Sequence, residues 1–292
     1  HVSPLLPTAT SLSHRVTVPR LLSPLASACG VGRGDWPEMH AHADASPTAC
    51  PEAVIDIPAS ELDVDRLLEQ RRSHEGTLRC RVRRTRDKGL LELFVEEGNI
   101  FVLSACRQGK DWLISEQPGG SYKQYVCRLR THKERSFTCV RGRDEKREAP
   151  AELLLVRHST VQLSDDLPEL NTMQLCLPRP PAAGGRVDAA CGALAAQLRK
   201  SVEGRERCGA EFAVLESRKP KWNPRTETYE LPFAGRANWA SARNFQLIDR
   251  EGAADKAVLL YGKLEEDEFA LDFGAPLSML HALAVVLTTW GW

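Results

Sequence analysis

The chain lacks most of what would mark an enzyme. It has no Gly-x-Ser-x-Gly elbow, no His-Glu-x-x-His and no Gly-Lys-Ser/Thr phosphate loop, so esterase, zincin and P-loop chemistry have no anchor in it. Nine cysteines, at 29, 50, 80, 106, 127, 139, 176, 191 and 208, form no CxxC pair and stand at no zinc-ligand spacing with histidine, which leaves no metal motif. No catalytic residue, metal or cofactor is therefore expected. Formal net charge is absent too, 39 basic residues against 39 acidic, and aromatic residues are scarce at 6%. No apolar run reaches the roughly 20 residues that a spanning helix requires.

The charge is nonetheless unevenly placed. Residues 1–34 hold Arg15, Arg20 and Arg33 and no acid; 52–75 lean acidic; 76–148 lean basic. A basic stretch in a neutral protein points to a polyanion, either nucleic acid or an anionic membrane surface. The cysteines in apolar surroundings, such as Leu78-Arg-Cys80-Arg-Val82 and Gln174-Leu-Cys176-Leu, read as small buried hydrophobes of a reducing compartment.

The longest apolar run is the last. From Leu277 to Trp290 there is no glycine, proline or charge, and Pro276 suits a first helical turn. Apolar residues fall on every face, with Leu277, Leu280, Ala284 and Leu287 on one and Met279, Leu283, Val286 and Trp290 on others. A helix over 276–290 would have to be buried on all sides, with the remaining chain as its shell. His281 within it reads as a buried, hydrogen-bonded core residue.

The shell is β. Leu78, Cys80 and Val82 alternate with Arg79, Arg81 and Arg83, a strand with one wet, basic face. Turn signals then separate strands over 91–95, 100–106, 111–115, 122–129, 137–140, 152–156, 173–177, 212–215, 229–233, 244–248, 257–261 and 268–272, with a short helix over 188–200 after the Pro/Gly/Ala loop 178–185. The run Glu265 to Glu268 reads as a solvated turn. The simplest solution is a closed antiparallel β-barrel of about twelve strands, threaded by its own C-terminal helix.

Upstream of a barrel domain over 76–292, residues 52–75 are expected to contain a short outer helix, Ser60–Arg72, capped by Ser60. Residues 1–51 read as a leader, with three readings open: disordered, organelle-targeting through its basic, acid-free start over 1–34, or a mis-predicted upstream exon. Because the chain opens on His1, its natural start is expected upstream.

Several motifs resemble the tubby C-terminal domain. Lys219-Pro-Lys-Trp-Asn223, Phe233-Ala-Gly-Arg236 and Ala240-Ser-Ala-Arg-Asn-Phe-Gln-Leu247 are similar to its first signature. Gly262-Lys263, Phe269-Ala-Leu-Asp-Phe273 and Pro276-Leu277 are similar to its second. Leu78-Arg-Cys-Arg, Ile100-Phe-Val-Leu, Trp112-Leu-Ile-Ser115 and Arg128-Leu-Arg130 follow in the family's order, more loosely, so the likeness spans about 76–290.

The resemblance implies a twelve-stranded barrel around a central helix. It also implies binding of phosphatidylinositol 4,5-bisphosphate in a basic cleft at the inner face of the plasma membrane. The family's roles imply a membrane-tethered adaptor that delivers membrane-protein cargo, including to cilia, or a transcriptional regulator acting in the nucleus. The family's Lys-Leu-Arg headgroup motif falls on Arg128-Leu-Arg130, two cations on one strand face, with Arg107 and Lys110 in the preceding loop expected to add to the site. The chain departs from the family pattern by a shorter, less basic loop at 105–110, by Thr131-His132 after the motif, by Asn171 or Thr172 at a basic position, by His281 in place of Gln, and by its Trp290-Gly-Trp292 end.

Two rival readings differ in class. The Arg128–Arg147 run suits a nucleic-acid-binding basic barrel, with Tyr122, Tyr125 and Phe137 as the available stacking aromatics. A phospholipid scramblase-like protein would share the fold but call for a membrane-inserting final helix.

Overall fold

The structure, a computed structural model, describes residues 39–40, 76–142, 151–179, 189–190, 192–202, 210–252 and 256–290. Apart from Met39 and His40 the leader lies outside them, as do the Ser60–Arg72 helix, residues 180–188, Arg143–Arg147, Cys29, Cys50, Cys191, Cys208 and the final Gly291-Trp292.

Alternation of apolar and polar residues becomes a barrel. Twelve strands close on one another: β2 (Leu78–Thr85), β3 (Leu90–Val95), β4 (Ile100–Gln108), β5 (Asp111–Ser115), β6 (Cys127–Thr131), β7 (Ser136–Arg141), β8 (Glu152–Val161), β9 (Leu170–Pro178), β10 (Phe212–Ser217), β13 (Phe245–Asp249), β14 (Ala257–Glu265) and β15 (Glu268–Phe273). All barrel pairings are antiparallel, and closure leaves no exposed edge. A three-stranded side sheet joins β1 (Met39–His40), β12 (Thr228–Glu230) and β11 (Lys221–Asn223).

Two expected strands are corrected. Of 229–233 only the short β12 forms, outside the barrel, where Tyr229 and Phe233 fill a separate apolar cluster with Leu170 and Leu231. The strand expected over 122–129 begins only at Cys127. The preceding loop instead lies over the outer faces of β3, β4 and β5, with Tyr125 against Leu90, Cys106 and Leu113. Helix α1 (Ala193–Val202) covers another outer patch, Leu194 and Leu198 meeting Leu155, Cys176 and Val214.

Helix α2 (Met279–Thr288) fills the lumen, every one of its residues buried. It is shorter than 276–290 because it starts at a cap. Ser278 Oγ accepts from the backbone N–H of His281, and His281 Nδ1 accepts from the Ser278 backbone N–H, each at 3.2 Å. This reciprocal box is normally closed by Glu or Gln; here an imidazole closes it. Pro276 therefore precedes the helix, in a cis peptide with Ala275, and is not in its first turn. Burial lowers His281 to a pKa of about 4 against a partial offset from a backbone hydrogen bond at Leu153. His158 of β8 meets the same helix, its Nε2 2.8 Å from Thr288 Oγ1. Burial, with Arg135 nearby, lowers it to about 3.

The cysteines at 80, 106, 127, 139 and 176 are buried and free of disulfides. In this topology the C-terminal ends of β2, β4, β6, β8, β10 and β14 share one pole, to which α2 also rises, with Trp290 just beyond its end.

Candidate functional site

On β6 the pleat sends Cys127 and Leu129 into the core and leaves Arg128 and Arg130 on the outer face. Their circumstances differ. Arg128 is held by Asp111, which is only 6% exposed, through Nε and Nη2 at 2.9 Å each to Oδ2. Oδ1 of the same carboxylate accepts from the Thr131 backbone N–H at 2.8 Å. Arg130 lies opposite Thr138 of β7 and, among the described residues, makes no ion pair.

Lys110 occupies the two-residue turn between β4 and β5, where Gly109 supplies a positive φ of 61°. Its carbonyl accepts from Thr131 Oγ1 at 2.6 Å, which fastens that turn to the end of β6. Lys110, Arg128 and Arg130 thus gather at one corner of the rim, with Asp111 beneath. Asp111 was not legible as a site residue; the one signal was an acid opening an otherwise apolar strand beside a basic loop.

Arg107 is not part of that corner. Leu103 and Ala105 point into the lumen, so the next position of that parity, Arg107, lies at the mouth of the barrel. It stacks 5.5 Å from the Trp112 ring and reaches the Trp290 carbonyl at 3.5 Å. Arg135 supplies a further cation. Its guanidinium donates to Asn171 at 3.3 Å, one of the two residues that stand where the resemblance implies a basic one.

The other basic face is committed. On β2, Arg81 bonds Glu96 at 2.9 Å and Arg83 reaches Glu268 at 3.3 Å, and in the turn that follows Arg86 bonds Asp267 at 2.8 Å and Glu266 at 2.9 Å. The acidic turn is therefore a counter-charge to β2 and not merely a solvated loop. Nor do all the aromatics face out: Phe137 is buried and cannot stack on a base.

The tubby-like signature residues form a staple. Arg236 bonds Asp272 at 2.6 Å and Glu96 at 2.9 Å, all three largely buried. Burial pushes the Asp272 carboxyl up and Arg236 pulls it back. Asn244 Nδ2 donates to the Trp239 carbonyl, and its Oδ1 accepts from the Lys263 N–H, each at 2.8 Å. Gln246 Nε2 donates to the Pro232 carbonyl at 2.6 Å. A Cβ on Gly262 would fall 2.4 Å from the Arg236 carbonyl oxygen, so only glycine lets the 231–244 segment lie on β14.

A closed antiparallel barrel plugged by its own C-terminal helix, with a cationic corner on its rim, is the architecture of a tubby-like domain. A family model described as the Tub family matches residues 68–291, and the chain belongs to that family. It is similar to Tubby-related protein 1 of Homo sapiens, 26% identical over 264 residues, covering 80% of this chain and 46% of that protein. It is also similar to Tubby protein homolog 1 of Caenorhabditis elegans, 37% identical over 76 residues, 26% of this chain and 18% of that protein. Protein king tubby 2 of Aedes aegypti is 37% identical over 75 residues, 26% of this chain and 18% of that protein. The chain spans less than half the length of each of these relatives.

No helix among the described residues is long and apolar enough to cross a membrane.

Proposed function

We propose that this tubby-like chain is a peripheral membrane adaptor that reads the headgroup of phosphatidylinositol 4,5-bisphosphate at the rim corner of β6. The observation that carries the reading is the side-by-side placement of Arg128 and Arg130 on one outer face, with Lys110 fastened to the same strand by Thr131. Adjacent phosphates need adjacent cations, and guanidiniums can bond two phosphate oxygens at once. Asp111 fixes Arg128 in place, which lowers the cost of ordering that side chain on binding, while also cancelling one unit of its charge. Arg130 and Lys110 then supply the attraction, about 1 kcal/mol each near an anionic surface. Docking at the inner plasma membrane would hold a protein cargo there, in membrane-protein or ciliary trafficking. Of the rival readings, the nucleic-acid surface loses a stacking aromatic to the core. The scramblase-like reading meets a final helix wholly enclosed by the barrel.

Vesicle co-sedimentation tests the reading. The expected result is selective binding to phosphatidylinositol 4,5-bisphosphate over phosphatidylserine at matched surface charge, lost in the Arg128→Ala/Arg130→Ala variant. Equal binding to both lipids, or none, would overturn it.

A further inference from the structure

Three arginines meet at the mouth of the barrel. Arg84 and Arg107 continue the lumen-facing parity of β2 and β4 by one step from Val82 and Ala105, and Arg243 lies in the turn that leads into Phe245 of β13. Where the next inward side chain would be apolar in a closed plug, those of β2 and β4 are cationic. Arg84 lies 4.5 Å and Arg243 4.0 Å from the Trp290 ring centroid, and Arg107 reaches that residue's carbonyl at 3.5 Å. Trp290, itself 9% exposed, forms the floor.

Among the described residues the cluster is short of counter-charge. Asp267 stands 4.0 Å from Arg84 but is engaged by Arg86 at 2.8 Å. Among the described residues neither Arg107 nor Arg243 has an acid partner, and Arg243 Nε is a buried donor with no acceptor. Burial lowers the Arg243 pKa, and Arg84 pushes it the same way. Capping of α2 does not account for these cations. Thr288 and Thr289 hydroxyls already bond the Val285 and Val286 carbonyls at 2.6 and 2.7 Å, and the Trp290 N–H bonds the Leu287 carbonyl at 3.1 Å.

We propose that the barrel mouth is a second anion site, in which Arg84, Arg107 and Arg243 over the Trp290 floor bind a phosphate monoester. It is distinct from the β6 corner and does not depend on that reading. The anion supplies the acceptor that Arg243 Nε lacks and relieves the repulsion between Arg84 and the partly desolvated Arg243. Two sources share this chemistry: a second lipid headgroup, or a soluble phosphate.

The test is calorimetric titration of the full chain with inositol 1,4,5-trisphosphate, beside vesicle sedimentation on phosphatidylinositol 4,5-bisphosphate. Wild type is expected to show two binding events. Arg84→Gln/Arg243→Gln should remove one of them, and Lys110→Ala/Arg130→Ala the other. If the β6 reading fails, the second variant titrates like wild type while the first still loses its event. Loss of vesicle binding as well as trisphosphate binding in the mouth variant assigns the site to lipid; loss of trisphosphate binding alone assigns it to a soluble phosphate. Should the double variant fail to fold, the exposed Arg107→Gln serves in its place and should weaken the same event by about fivefold. A folded mouth variant with wild-type stoichiometry and affinity overturns the proposal.

Discussion

The wall built from the 231–244 segment, β13, β14 and β15 and the rim built from β4, β5 and β6 both carry arginines, and use them differently. In the wall, Arg236 is buried between Asp272 and Glu96, and the amide N–H groups of Asn244 and Gln246 go to carbonyls of the 231–244 segment. Nothing in that set is left to meet a ligand. On the rim, Arg128 is tied to Asp111, whereas Arg130 and Lys110 make no ion pair among the described residues. The stretch that carries the most specific family motifs is thus mainly the one that holds the barrel together, Arg243 at the barrel mouth being its exception. The loosely matching stretch carries the paired cations of the β6 corner. A family signature can mark what a fold needs in order to close, and not where it acts.

Breaking the wall should have the largest effect. Arg236→Ala strands the buried Asp272 carboxylate and is expected to cost about 3–5 kcal/mol in denaturant unfolding. Acid should act next, on α2 and the β8 wall that packs against it. Above about pH 6.5 His158 and His281 are neutral folded or unfolded. Below it the unfolded chain takes up protons that His281 refuses until about 4 and His158 until about 3, so stability falls as pH drops. The loss is about 1.4 kcal/mol per pH unit for each histidine. His281→Gln keeps the capping box, since glutamine also closes it. It should remove roughly 3 kcal/mol of that loss by pH 4, read from unfolding midpoints across pH. Gly262→Ala, whose new Cβ meets the Arg236 carbonyl at 2.4 Å, should cost about 1–3 kcal/mol by overpacking. Arg130→Ala sharpens the contrast from the other side. Stability should stay within about 0.5 kcal/mol while affinity for phosphatidylinositol 4,5-bisphosphate vesicles drops about fivefold.

Much of the architecture was legible because it follows from local periodicity. Alternation along 78–82 and turn signals at short spacing announced the strands, and the uncharged run to Trp290 announced a helix that only a surrounding shell could hide. Boundaries slipped where tertiary contacts decide. Ser278 and His281 set the helix start, and the 116–126 loop folds over Leu90 and Cys106 rather than pairing. The β6 pair could be read from its two-residue spacing. The Arg128–Asp111 bond could not, because it joins strands across a register that the sequence does not spell out. The mouth arginines were legible in principle, since extending the inward parity past Val82 and Ala105 lands on Arg84 and Arg107. Only the position of Trp290 at the same pole gives that parity a meaning.

The most direct measurement sets Arg236→Ala beside Arg130→Ala, with denaturant stability and phosphatidylinositol 4,5-bisphosphate vesicle binding recorded for both. A crossed result is predicted: the first loses several kcal/mol yet binds normally per folded molecule, and the second keeps its stability and loses affinity. Wild-type stability with abolished binding in Arg236→Ala, or unimpaired binding in Arg130→Ala, would contradict the division between a closing wall and a binding rim.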